Sequence, residues 1–105
     1  MLQNSSNLLF SSLAEPRRRK IVELLADRGQ MSATDISNQF EISPAAISQH
    51  LKILREARVI QMERQARRRL YTLNARAFDE LEEWVRQMKT AWSARFDALD
   101  ALLEK

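Results

Sequence analysis

The stretch SPAAISQHLKILREARVIQMERQARRRLYTL, Ser43 to Leu73, carries two different periods in succession. Ile47, Leu51 and Leu54 recur at steps of four and three, with Ala46 and Ile53 widening the same row, so the first half is an amphipathic helix. Ser43 supplies an N-cap oxygen, and Pro44 suits the first helical position because its missing N–H would have no partner there. After Arg58 the period drops to two. Ile60 and Met62 alternate with Gln61 and Glu63, and Tyr71 and Leu73 alternate with Leu70 and Thr72. Val59–Arg64 and Arg69–Leu73 are therefore expected to pair antiparallel, Ile60 opposite Leu73 and Met62 opposite Tyr71, with Gln65, Ala66, Arg67 and Arg68 at the turn.

Outward from this stretch the chain is mostly helical. Pro16–Arg28 forms a helix whose inner face is Ile21, Leu24 and Leu25, closed by Gly29. The cations Arg17–Lys20 crowd its N-terminal end, where the dipole disfavours them, which suits either an external anion or a solvated basic turn. Ser32 and Asp35 form a capping-box-like start to a short helix containing Ile36 and Phe40. Residues 4–13 form a serine-rich, weakly helical segment with Leu8, Leu9 and Leu13 on one face. From Ala75 a long helix carries Leu81, Val85, Met88, Trp92, Phe96, Leu99 and Leu103 at steps of three and four.

Composition narrows the function. The 105 residues favour one domain, and one Gly with two Pro favours helix over long loops. There is no Cys, and His50 is the only His, so no metal site, cofactor or thiol chemistry is expected. No paired carboxylates with a base and no Gly-rich phosphate loop appear, which argues against an enzyme. No apolar run reaches the ~20 residues of a membrane span, and the N-terminus lacks a secretory pattern, so a cytoplasmic protein is expected. The formal charge of +3 is unevenly spread. Residues 43–76 hold Lys52, Arg55, Arg58, Arg64, Arg67, Arg68, Arg69 and Arg76 against only Glu56 and Glu63, a focused anion-binding surface.

Two short helices joined tightly, the second opening SPAAISQHLKIL, followed by a basic hairpin, is the order of a winged helix-turn-helix. The sequence resembles the ArsR-type family of bacterial transcriptional repressors in LAEPRRRKIVELL (Leu13–Leu25), SATDISNQFEISPAAISQHLKILREARVI (Ser32–Ile60) and RRRLYTLN (Arg67–Asn74). It differs from many relatives in having Arg58 where they carry Gly, and in lacking a Gly in the wing turn. It also lacks the Cys pair of the metal-sensing branch, and its one His is not on the last helix, so the branch without that metal-sensing motif is the one resembled.

The resemblance implies a mainly α fold with a small β-hairpin wing, dimerising through terminal helices, and a sequence-specific DNA-binding regulator that represses by occupying a promoter. One domain would span residues 1–105, with 14–74 as the DNA-binding core and 1–13 and 75–105 as dimerisation helices. The recognition helix would present Ser43, Ala45, Ala46, Ser48, Gln49 and Lys52 to the major groove, the small residues allowing close approach and Gln49 offering a bidentate contact to adenine. Lys52 and Arg55 would hold phosphates, His50 would pack or meet the backbone, and Arg64, Arg67, Arg68 and Arg69 would lie over phosphates or a minor groove. Leu8, Leu9, Trp84, Met88, Trp92, Phe96, Leu99 and Leu103 would meet their mates in a homodimer, spacing the recognition helices for an inverted-repeat operator in double-stranded DNA. A small apolar ligand at that interface is an alternative use of the same stripe, which close packing explains equally well. The rival reading is a winged-helix module whose basic wing binds an acidic protein. RNA is disfavoured, since Tyr71 is the only aromatic near the basic zone and offers no stacking platform.

Overall fold

Four of the helices begin where a side-chain oxygen satisfies free backbone N–H groups. The computed structural model describes the backbone of residues 4–104 and the side chains of residues 7–104; residues 1–3 and Lys105, assigned above to the terminal dimerisation segments, lie outside the described residues. In chain order the elements are α1 (Asn4–Leu13), α2 (Pro16–Arg28), β1 (Met31–Ser32), α3 (Ala33–Ser37), α4 (Pro44–Glu56), β2 (Ile60–Gln65), β3 (Arg68–Leu73) and α5 (Ala75–Leu103). Glu15 accepts from the N–H groups of Arg17 and Arg18 and caps α2. Ser32 Oγ accepts from Asp35 N, Ser43 Oγ from Ala46 N and Asn74 Oδ1 from Arg76 N, opening α3, α4 and α5. Each Ser or Asn cap contributes about 0.5–2 kcal/mol.

One apolar core joins these elements. Ile21 and Leu25 of α2, Ile36 of α3, and Ile47, Leu51 and Leu54 of α4 are buried with Val59, Ile60 and Tyr71. Phe40, expected on a helix with Ile36, packs against this core from the turn after α3, because the helix ends at Ser37. The hairpin register is the expected one, Ile60 opposite Leu73 and Met62 opposite Tyr71. Pairing continues to Gln65 opposite Arg68, so the turn is only Ala66 and Arg67, and Ala66 takes φ 56°. The sheet gains a third strand. β1 pairs with β3 through Met31 opposite Tyr71 and Ser32 opposite Leu70, giving the antiparallel order β1-β3-β2.

The C-terminus of α4 shows how Arg58 stands in for glycine. Arg58 N donates to Arg55 O (2.9 Å) and Val59 N to Leu54 O (3.0 Å), the paired bonds of a Schellman motif. Arg58 holds φ 62° to make them, and its carbonyl accepts from Asn74 Nδ2 at 2.7 Å. A left-handed non-glycine residue costs about 1–2 kcal/mol, of which glycine's freedom in the unfolded chain returns roughly 0.4–1. Arg58→Gly is therefore expected to stabilise the fold by about 0.5–1 kcal/mol. The check is urea denaturation, with the midpoint rising at unchanged slope.

One expectation about the termini is corrected. Leu9, assigned to a dimer interface, is 3% exposed within the single chain and belongs to the core. The reason is the helical rotation of α1, which turns Leu9, Ser12 and Leu13 inward and leaves Leu8 half exposed. α1 therefore packs on the helical body through this face. The start of α5 does the same, burying Ala77 and packing Phe78 and Leu81 on the core. Beyond Leu81 the 29-residue helix runs on, about 43 Å in all at 1.5 Å per residue, and stretches the molecule to 62 × 28 × 21 Å.

Candidate nucleic-acid interface

Burial of Ile47, Leu51 and Leu54 decides which face of α4 remains outside. Ser43, Ala45, Ser48, Gln49, Lys52 and Arg55 are exposed, and Ala46 is half-buried beside them. Small residues lead this face and long polar ones follow, so the first turns of α4 approach a surface closely while Lys52 and Arg55 reach around it.

The wing continues the basic surface. Arg64, Arg67, Arg68 and Arg69 are all exposed, and Arg64 lies directly opposite Arg69 in the hairpin ladder. Like charges facing across strands are destabilising on their own, so this pair suits an anionic partner. Arg68 has a partial counter-ion in Asp35, 3.9 Å away in an exposed pair worth little by itself. Between the wing and the start of α3 lies an open cleft of 690 Å³ lined by Ser32, Thr34, Asp35 and the four arginines. Its arginine fork geometry matches phosphate oxygens.

His50 is placed differently from the other recognition-helix candidates. It is half-buried, and its Nδ1 lies 3.3 Å from Arg18 Nη1. Arginine only donates, so a hydrogen bond here requires Nδ1 to accept, with the ring proton on Nε2. The expectation of an external anion over Arg17–Lys20 is revised for Arg18 and Arg19. Arg18 Nε donates to Ser12 O (2.7 Å), and Arg19 Nη1 to Leu13 O (2.7 Å) and Ala14 O (3.1 Å). These carbonyls at the end of α1 carry the negative pole of its dipole and supply the anion internally. Desolvation pushes the Glu15 carboxyl up, but the N–H groups of Arg18 and Arg17, together with the positive charge of Arg17, outweigh it and hold its pKa below the usual value. Arg18 and Asp35 were the residues that sequence patterning missed here, since both act through partners distant in the chain.

On α5, Val85, Met88, Trp92, Phe96, Leu99 and Leu103 are exposed, together with Leu102. Trp84 is half-buried, its ring edge-on to Phe10 at 5.1 Å, so part of its surface is already used within the chain. No helix among the described residues is long and apolar enough to cross a membrane.

Comparison with known proteins agrees with this geometry. Residues 15–61 match the family model described as bacterial regulatory protein, arsR family. The chain is 39% identical over 79 residues to the transcriptional repressor SdpR of Bacillus subtilis strain 168, covering 75% of this chain and 87% of that protein. It is 32% identical over 77 residues to the transcriptional activator HlyU of Vibrio cholerae serotype O1, covering 71% and 70%. The crystal structure of an ArsR family transcriptional regulator superposes with a TM-score of 0.80 at 24% identity, over 89% of this chain and 97% of that one.

Proposed function

The chain belongs to the arsR family of bacterial regulatory proteins, and we propose that it acts as a homodimer docking α4 of each subunit in successive major grooves of an inverted-repeat operator. It is a DNA-binding transcriptional regulator rather than an enzyme. The observation that carries the docking proposal is the division of α4, whose apolar row is sealed in the core while Ala45, Ser48, Gln49 and Lys52 face outward. In the proposal Gln49 and Ser48 read base edges, Lys52 and Arg55 hold phosphates, and the Arg64–Arg69 wing grips the backbone or an adjacent minor groove. His50 acts from behind this face rather than on it. Repression by promoter occupancy in the cytoplasm is the proposed outcome, supported by the likeness to SdpR.

A two-fold dimer is proposed because the exposed apolar stripe of α5 exceeds what the body of one subunit covers. Leu8, Met88, Trp92, Phe96, Leu99 and Leu103 would line it, with Trp84 at its edge. The pairing would set the recognition helices about 34 Å apart, one turn of DNA.

Fluorescence anisotropy on the duplex upstream of the chain's own gene, against a scrambled duplex over a salt series, tests the reading. Much tighter binding to the first, with a steep salt slope, is expected. Equal weak binding to both, in a dimer that captures an acidic protein, would favour the protein-interaction module instead. Within this assay, Gln49→Ala should lose about 1–3 kcal/mol on the specific site and little on random DNA. Arg67→Ala should weaken both duplexes alike and flatten the salt slope by about 0.9 per phosphate contact removed. Identical behaviour of the two variants would refute the assigned roles.

A further inference from the structure

Arg18 makes contacts that a surface cation has no need of. Its guanidinium donates from Nε to Ser12 O at 2.7 Å, from Nη2 to Ser11 O at 3.5 Å, and from Nη1 toward His50 Nδ1 at 3.3 Å. One planar group thus joins the end of α1 to the middle of the recognition helix, 32 residues further along the chain. We propose that Arg18 is a positioning residue that couples α1 to α4, so that the placement of α1 in the dimer sets the orientation of the base-reading face.

Both ends of this link are firmly held. Ser12 is buried, and its Oγ donates to Leu9 O at 2.8 Å. Leu9 is in the core, whereas Leu8 beside it is half exposed and faces the surface assigned above to the second subunit. At the other end His50 directly follows Gln49 and precedes the buried Leu51, so its ring orientation is tied to the rotation of α4 about its axis. A displacement of α1 moves the Ser11 and Ser12 carbonyls, hence the guanidinium, hence the only side chain of α4 that meets it by hydrogen bond among the described residues.

The neighbouring Arg19 provides an internal comparison. It also caps α1, through Leu13 O and Ala14 O, but its hydrogen bonds stay within the α1–α2 junction. If Arg18 served only to neutralise the end of α1, the two arginines would be equivalent. Coupling to α4 distinguishes them.

The inference rests on the reading of α4 as the groove-facing helix, and the experiment separates the two. Arg18→Lys keeps the charge but loses the fork that spans three acceptors. It should lower the ratio of operator to scrambled-duplex affinity about tenfold while leaving scrambled binding and its salt slope unchanged. His50→Phe should give the same loss, and the double variant should be no worse than either single one. Arg19→Lys should stay within about twofold of the parent, because α4 is untouched. Additive losses, or equal losses in Arg18→Lys and Arg19→Lys, would overturn the coupling. A readout independent of DNA and of any variant is the imidazole 15N spectrum of the parent protein, which should show Nε2–H with an accepting Nδ1. A dominant Nδ1–H tautomer would sink the link even if operator binding were normal. The expected tautomer with no operator binding would instead count against the function proposed for α4.

Discussion

Trp92→Ala/Phe96→Ala is expected to weaken the proposed self-association about a thousandfold and to leave the subunit folded. Trp92 and Phe96 are 51% and 50% exposed in the single chain, so neither holds up the core. Their rings lie 6.1 Å apart, and Arg95 sits 4.9 Å over the Trp92 ring, which gives the stripe a pre-formed aromatic centre. Aromatic anchors at the centre of an interface typically cost about 2–4 kcal/mol each on truncation, so two together reach the roughly 4 kcal/mol of a thousandfold change. Sedimentation equilibrium measures the association, and circular dichroism shows that the helices persist. A double variant that dimerises as tightly as the parent would refute the proposed interface, and with it the proposed spacing of two recognition helices.

Leu54→Ala has the opposite signature, destabilising the subunit itself. Leu54 is 0% exposed, and its carbonyl accepts the Val59 N–H that closes α4. Removing its side chain leaves a cavity between α4 and the first residues of the wing, at a cost of about 2–5 kcal/mol. Against a typical total of about 5–15 kcal/mol, that is a large share of the folding free energy. Urea denaturation should show a lower midpoint, and operator binding should fail first at raised temperature, where the folded fraction drops. Leu103→Ala, at a position 75% exposed in the single chain, should leave monomer stability unchanged. A Leu54→Ala midpoint equal to that of Leu103→Ala would show that α4 is not anchored as described.

These two residues also mark where reading the chain succeeds. Leu54 and Trp92 both announce themselves by helical spacing, and caps at Ser32 and Ser43 set the starts of α3 and α4. The hairpin register was legible because a one-residue slip would turn Ile60, Met62, Tyr71 and Leu73 to the wrong face. β1 was not legible. Two residues have no period, and Met31–Ser32 becomes a strand only because β3 offers an unpaired edge.

The sequence by itself determined the order of the helices and the hairpin, the inward faces of α2 and α4 and the basic middle segment, because these depend on side chains at most a few positions apart. The tertiary structure alone decided that Leu9 is core and Leu8 surface, that Trp84 leans on Phe10, and that Asp35 faces the wing. It also decided that Arg18 turns away from solvent to bridge α1 and His50. Those facts depend on where one element rests on another, and a charge or a leucine in sequence carries no mark of the partner that packing brings to it.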